Sequence, residues 1–156
     1  MSGKISKGLS ATIAEHPFMH GLDAKFIQLV SNKATQRNYE RGDMLFKEGE
    51  TADKFFLVLA GKIALELAPP EKDRLTIETI GEGEVVGWSW MVAPYRWTFD
   101  ARALKNTQVI AMDAELLRKA LEDDPKNGYD FLLRLLPVIG NRLENTRLQL
   151  MDVYGV

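Results

Sequence analysis

The sequence predicts an α+β chain: a roll of short antiparallel strands, with short helices before it and one long helix after it. Three observations predict this. Apolar residues recur at helical spacing before Thr35 and again after Asp113. Between those limits Gly42, Gly49, Gly61, Gly81, Gly83 and Gly87 punctuate short runs that alternate apolar and polar. Beyond Asp124 an apolar stripe repeats in steps of four and three. Many short strands at this spacing close into an antiparallel barrel or a jelly roll.

Taken in order, residues 1–12 are small and polar and are expected to form a flexible N-terminus ahead of one domain, 13–156. Ile13, His16 and Phe18 mark a first helical turn. Asp23 is placed to cap a second, with Phe26, Leu29 and Val30 on one face. The β-roll then spans about 35–112, with strands at 44–47, 55–60, 62–68, 75–80, 98–104 and 107–112. In 62–68, Ile63, Leu65 and Leu67 alternate with Lys62, Ala64 and Glu66, so one face is buried. Pro69, Pro70, Glu71, Lys72 and Asp73 make the turn between two strands.

The C-terminal helices occupy about 113–152. Asp113 caps a helix at 114–122 with Leu116, Leu117 and Leu121 as its apolar face. Asp124 and Pro125 form a cap and first-turn pair for the long helix. Its seam is Leu132, Leu136, Ile139, Leu143, Thr146, Leu150 and Val153, and Pro137 should kink or split it. Such a seam either packs on its own barrel or pairs with a second copy. The dimer is favoured, because the seam outruns what a barrel could cover.

Composition removes several functions. The 156 residues suit one domain with a single core. A net charge of −2 leaves no electrostatic footprint for nucleic acid, and no apolar run reaches the length of a membrane span. There is no cysteine, hence no thiolate nucleophile, disulfide or zinc–cysteine site. A cytoplasmic protein is expected. His16 and His20 stand at i, i+4, but Pro17 breaks the helix and no further ligand is close, so no metal site is expected. Both histidines precede the roll, which removes a barrel metalloenzyme, and no serine–histidine or phosphate-loop motif occurs. No enzyme activity is expected.

The segment 81–103, GEGEVVGWSWMVAPYRWTFDARA, holds all three tryptophans (Trp88, Trp90, Trp97) with Tyr95 and Phe99. Such a cluster fills a pocket, lines one for a flat ligand, or offers a patch to a separate protein partner. Asp100 and Arg102, two apart on a strand, read as a surface pair.

The order of elements, with HPFMHGLDAKFIQLV, YERGDMLFKEGETADKFFLVLAGKIAL, IETIGEGEVVG and RLENTRLQLMDVYG, resembles the cyclic nucleotide-binding domain. It is most similar to the effector domain of the catabolite activator and FNR class of bacterial regulators. The resemblance covers 13–156 and implies a double-stranded β-helix roll, a regulatory role, and a cyclic nucleotide or other small ligand. It implies ligand-site positions at Gly87, Trp88, Ser89, Arg96, Trp97, Thr98 and Thr146. The family's cassette opens Gly-Glu and carries a later arginine, for the ribose hydroxyl and the cyclic phosphate. Here Trp88 stands for the glutamate, Trp97 for the arginine, and Thr98 for the hydroxyl residue after it.

Each lost charged hydrogen bond costs about 1.5–3 kcal/mol, so tight cyclic AMP binding is not expected. Arg96, one residue away, is either a phosphate contact or a solvated loop arginine. Thr146, in Arg-Leu-x-x-Thr, either meets a base or bonds its own preceding turn. Regulators of this class continue beyond this point into a helix-turn-helix. This chain reaches only the hinge, so direct DNA binding by it is not expected. The alternative function is a ligand-free dimeric scaffold that uses the aromatic segment to hold a partner.

Overall fold

The computed structural model describes residues 2–155. Among them lie α1 (Ser2–Glu15), α2 (Ala24–Val30), β1 (Thr35–Tyr39), β2 (Met44–Phe46), β3 (Lys54–Ala60), β4 (Lys62–Leu67), β5 (Leu75–Gly81), β6 (Val85–Val86), a 3-10 turn (Ser89–Met91), β7 (Asp100–Ala103), β8 (Thr107–Asp113), α3 (Ala114–Asp123) and α4 (Pro125–Val153). The strands form two four-stranded antiparallel sheets, in the orders β1-β8-β3-β6 and β2-β7-β4-β5. Their inner faces enclose one core, with Phe56, Leu57, Ile63, Leu65, Ile80, Val109 and Ile110 almost fully buried.

The β3–β4 hairpin turns at Gly61, where φ is +103°, and a Cβ there would meet the Thr107 backbone at 2.5 Å. Only glycine allows that approach. In β4 and β5 the register slips between Leu65 and Glu66, so Leu65 faces Glu78 and Glu66 faces Thr76. This bulge breaks the alternation along β5 and turns Glu78 towards the helical side of the roll.

Helix α1 begins at Ser2, within the stretch expected to be loose. Leu9 and Ile13, one helical turn apart, both pack on the core, and that face sustains the helix. Asp23 sits at the N-cap of α2 without a side-chain cap bond. Asp113 does cap α3, accepting from the Leu116 N–H at 2.9 Å, and Asp124 caps α4 by accepting from the Asn127 N–H at 3.2 Å.

Helix α4 is not split at Pro137. The proline removes one backbone bond, but Phe131 and Leu135 before it and Val138 and Arg142 after it hold both halves against the barrel. These four residues make the inner stripe. The seam read from the sequence lies beside it: Leu132, Leu136, Leu143 and Leu150 are exposed, while Ile139 and Thr146 are half-buried. Packing on the chain's own barrel thus covers Ile139 and leaves these four leucines exposed. The Val153 side chain lies outside the described residues.

Candidate functional site

Gly87 follows β6 with φ +96°, and Trp97 explains why a side chain is excluded there. A Cβ on Gly87 would fall 2.5 Å from the Trp97 ring. Trp97 is buried and stacks on Phe46 of β2, with centroids 3.7 Å apart and planes 8° apart, and a tilted contact to Phe56 lies behind. Its backbone is fixed too: its N–H donates to Glu50 O, and its carbonyl accepts from the Gly49 N–H. The position expected to hold a phosphate-binding arginine thus holds an indole packed into the roll.

The other tryptophans divide the work. Trp90 is fully buried, donates Nε1–H to Gly87 O at 3.1 Å, and meets Phe55 and Phe131. That contact joins the cassette to α4. Its carbonyl accepts from Arg118 Nη1 at 2.7 Å, and the same guanidinium lies 4.1 Å above the Tyr95 ring. Trp88 is half-buried and its Nε1 has no hydrogen-bond partner. Ser89 is buried in the 3-10 turn, and Thr98 is exposed.

Arg96 is exposed, bridges Thr51, and donates to Gly49 O at 3.0 Å, strapping the β2–β3 turn from outside. Thr146 donates its hydroxyl to Arg142 O at 2.8 Å, a bond to its own preceding turn. The structure therefore brings Gly87 and Trp97 into contact and leaves Arg96 and Thr98 on the surface.

Asp100 and Arg102 do not pair with each other. Arg102 grips the buried Glu66 carboxylate with two bonds of 3.1 and 2.7 Å. Arg74 bonds Asp100 at 2.6 Å and reaches Glu66 at 3.6 Å. Partial burial pushes the Asp100 carboxyl up, but the Glu48 N–H and Arg74 outweigh it and hold it below its usual range. The Glu66 bonds raise the Arg102 pKa.

Sequence reasoning passed over one pair. Arg142 on α4 is only 5% exposed, and its Nε donates to Glu78 of β5 at 2.9 Å. Burial lowers its pKa despite that carboxylate. Its Nη2 is buried without a partner. Arg142 and Glu78 line a cleft of about 520 Å³ between α4, β5 and the turn after α1, floored by Phe18, Ile80, Val85 and Val138. None of Gly87, Trp88, Ser89, Arg96, Trp97, Thr98 or Thr146 lines it. A signal existed in the sequence: Arg142 continues the inner stripe Phe131, Leu135, Val138, where an apolar residue belongs.

Comparison with known proteins gives a consistent result. A family model described as Cyclic nucleotide-binding domain matches residues 36–124. The CRP-like cAMP-activated global transcriptional regulator of Mycobacterium tuberculosis is 23% identical over 141 residues, 90% of this chain. The chain spans 61% of that relative's length. Among solved structures, the sensor domain of the transcriptional regulator DNR from Pseudomonas aeruginosa superposes with a TM-score of 0.74 at 16% identity, covering 90% of this chain and 95% of that one. A cyclic nucleotide-binding domain from Methylobacillus flagellatus gives 0.73 at 19% identity, covering 97% and 85%. At these identities the structures speak for the fold.

Proposed function

The chain belongs to the cyclic nucleotide-binding domain family, and from that premise we propose that it is a non-enzymatic regulatory domain whose cassette has closed on itself. A small ligand is sensed instead where the roll meets α4, and the long helix carries the signal. The observation that carries this reading is the buried Arg142: α4 brings a guanidinium to Glu78 of β5, and the two residues line a cleft between helix and roll. A ligand there touches roll and helix at once, so binding would shift one against the other. Trp97 against Gly87 supports the other half, since an indole stands at the position that the resemblance gives to the phosphate-binding arginine, and Arg96 bonds Gly49 O.

Titration with cyclic AMP, cyclic GMP and a panel of other small molecules, read by tryptophan fluorescence and calorimetry, tests it. Neither nucleotide should saturate at micromolar levels. Some member of the panel should bind saturably and alter amide exchange along α4. Micromolar nucleotide binding overturns the closed cassette, and silence across the panel overturns sensing.

The exposed leucines support a second role. Leu132, Leu136, Leu143 and Leu150 are 40, 59, 71 and 54% exposed on one helix. A row of that kind fits a homodimer through α4, with or without a separate protein partner. The expected species is a dimer by sedimentation, reduced to monomer by Leu136→Glu with Leu143→Glu. A wild-type monomer at high micromolar concentration sinks this role. A cytoplasmic location is part of the same proposal, and among the described residues no helix is long and apolar enough to cross a membrane.

A further inference from the structure

Glu78, Glu84, Arg134 and Arg142 line the cleft between α4 and β5, and all but Glu84 are already engaged. Arg142 is balanced by Glu78 at 2.9 Å. Arg134 bonds Asp130 and the carbonyls of Phe18 and His20. Glu84 has no ion-pair partner among the described residues. The cleft therefore carries one surplus negative charge.

That charge is held in place. Gly83, just before it, turns with φ +80° against Pro17. The Glu84 carbonyl accepts from the Val58 N–H at 2.9 Å, which fixes the backbone to β3. Its Oε1 accepts from the Gly81 N–H at 2.9 Å, and Oε2 takes no bond from the described residues. A carboxylate set in this way keeps one oxygen for an incoming donor without further ordering.

Charge and desolvation select the occupant. An anion would meet the surplus carboxylate with both guanidinium groups engaged. A wholly apolar occupant would strip water from Oε2 and return no donor to it. A cation with N–H donors meets both demands. The apolar lining of Phe18, Ile80, Val85 and Val138 takes a hydrocarbon body.

We infer that this cleft binds a small primary amine, its ammonium on Glu84 and its hydrocarbon body on Ile80, Val85 and Val138. The inference rests on the sensing role proposed above and gives it a chemistry. Glu84 stands in the turn before β6 and Val138 on α4, so one amine spans roll and helix.

The test is a titration of the whole protein, at neutral pH, with matched sets: isoamylamine, isoamyl alcohol and isovalerate, then benzylamine, benzyl alcohol and benzoate. Calorimetry gives the affinities. The Gly81 amide and Val138 methyl resonances in NMR spectra give the place. At least one amine should bind saturably, move both resonances, and bind at least tenfold more tightly than its alcohol and its acid. Glu84→Gln keeps an oxygen for the Gly81 N–H and removes the charge, so it should weaken the amine tenfold or more and leave the alcohol unchanged. If an alcohol or acid binds as tightly as its amine, or Glu84→Gln retains more than a tenth of the amine affinity, the amine inference falls while small-molecule sensing stands. Amine binding that moves neither resonance overturns the site. If no amine binds, the inference falls, and if the wider small-molecule panel is also silent, the sensing role falls with it.

Discussion

The benzo edge of Trp97 abuts Gly87, so close that a Cβ on the glycine would fall 2.5 Å from Cζ3 and 2.6 Å from Cη2. Position 87 must therefore be glycine for two reasons, its φ of +96° and the indole edge against it. Gly87→Ala should lose on the order of 3 kcal/mol, combining backbone strain and overpacking. Urea denaturation measures it. A loss below about 1 kcal/mol, the lower end for overpacking, would mean that Trp97 can swing away.

Trp97→Ala removes the partner of Phe46 and leaves a void beside Phe56. The expected cost is about 3–5 kcal/mol, the range for large aromatic truncations. The void is apolar, so millimolar indole should recover part of the loss in a thermal melt. Full stability without indole would show that the roll collapses into the gap.

Glu78→Ala strands the Arg142 charge in the interior, and a loss of about 3–5 kcal/mol follows for a broken buried pair. Replacing both partners, Glu78→Leu with Arg142→Met, should return close to wild-type stability, because it removes two desolvation costs with the attraction. Chemical denaturation of the single and double variants decides it. A double variant as weak as the single one contradicts this account.

His16 carries a pH dependence. Its Nδ1 accepts from the Phe18 N–H at 3.1 Å, which leaves Nε2–H to donate to Val58 O at 3.2 Å. Burial lowers its pKa below the ordinary 6.5, against the raising effect of backbone bonds to Val58 and Glu84. The unfolded chain thus takes up the proton first. The stability linked to His16 is complete above about pH 6.5 and declines as pH falls below it, levelling off only below the folded value. His16→Asn keeps an acceptor for Phe18 and loses the titration. Denaturation midpoints at pH 7.0 and 5.5 should differ more in wild type than in the variant.

Much of the roll was legible because alternation is a local property. The runs at 55–60 and 107–112 match β3 and β8 almost residue for residue. What escaped depends on tertiary context. β6 is two residues long, Val85 and Val86, too short to carry a period. β1 is Thr-Gln-Arg-Asn-Tyr, a polar edge strand whose register comes from β8 and not from its own pattern. Glu78 was hidden by the bulge opposite Leu65 and Glu66, which no alternation rule anticipates. In the site, the replacement of charge by Trp97 was visible in the sequence, but the direction of its indole was not. The inward turn of Arg142 is hidden in the sequence by the regular leucine seam beside it on the helix.

Arg134 adds a consequence of a different kind. Its Nη1 donates to Phe18 O at 2.8 Å and to His20 O at 2.7 Å, contacts that reach back 116 and 114 residues. A chain made from its N-terminus must complete every strand before the residue that secures its first turn exists. During synthesis the turn between α1 and α2 is therefore expected to gain these two bonds only after the strands, once α4 has left the ribosome. Nascent chains stalled just short of residue 134 should be far more open to protease at the α1–α2 turn than chains stalled well beyond it.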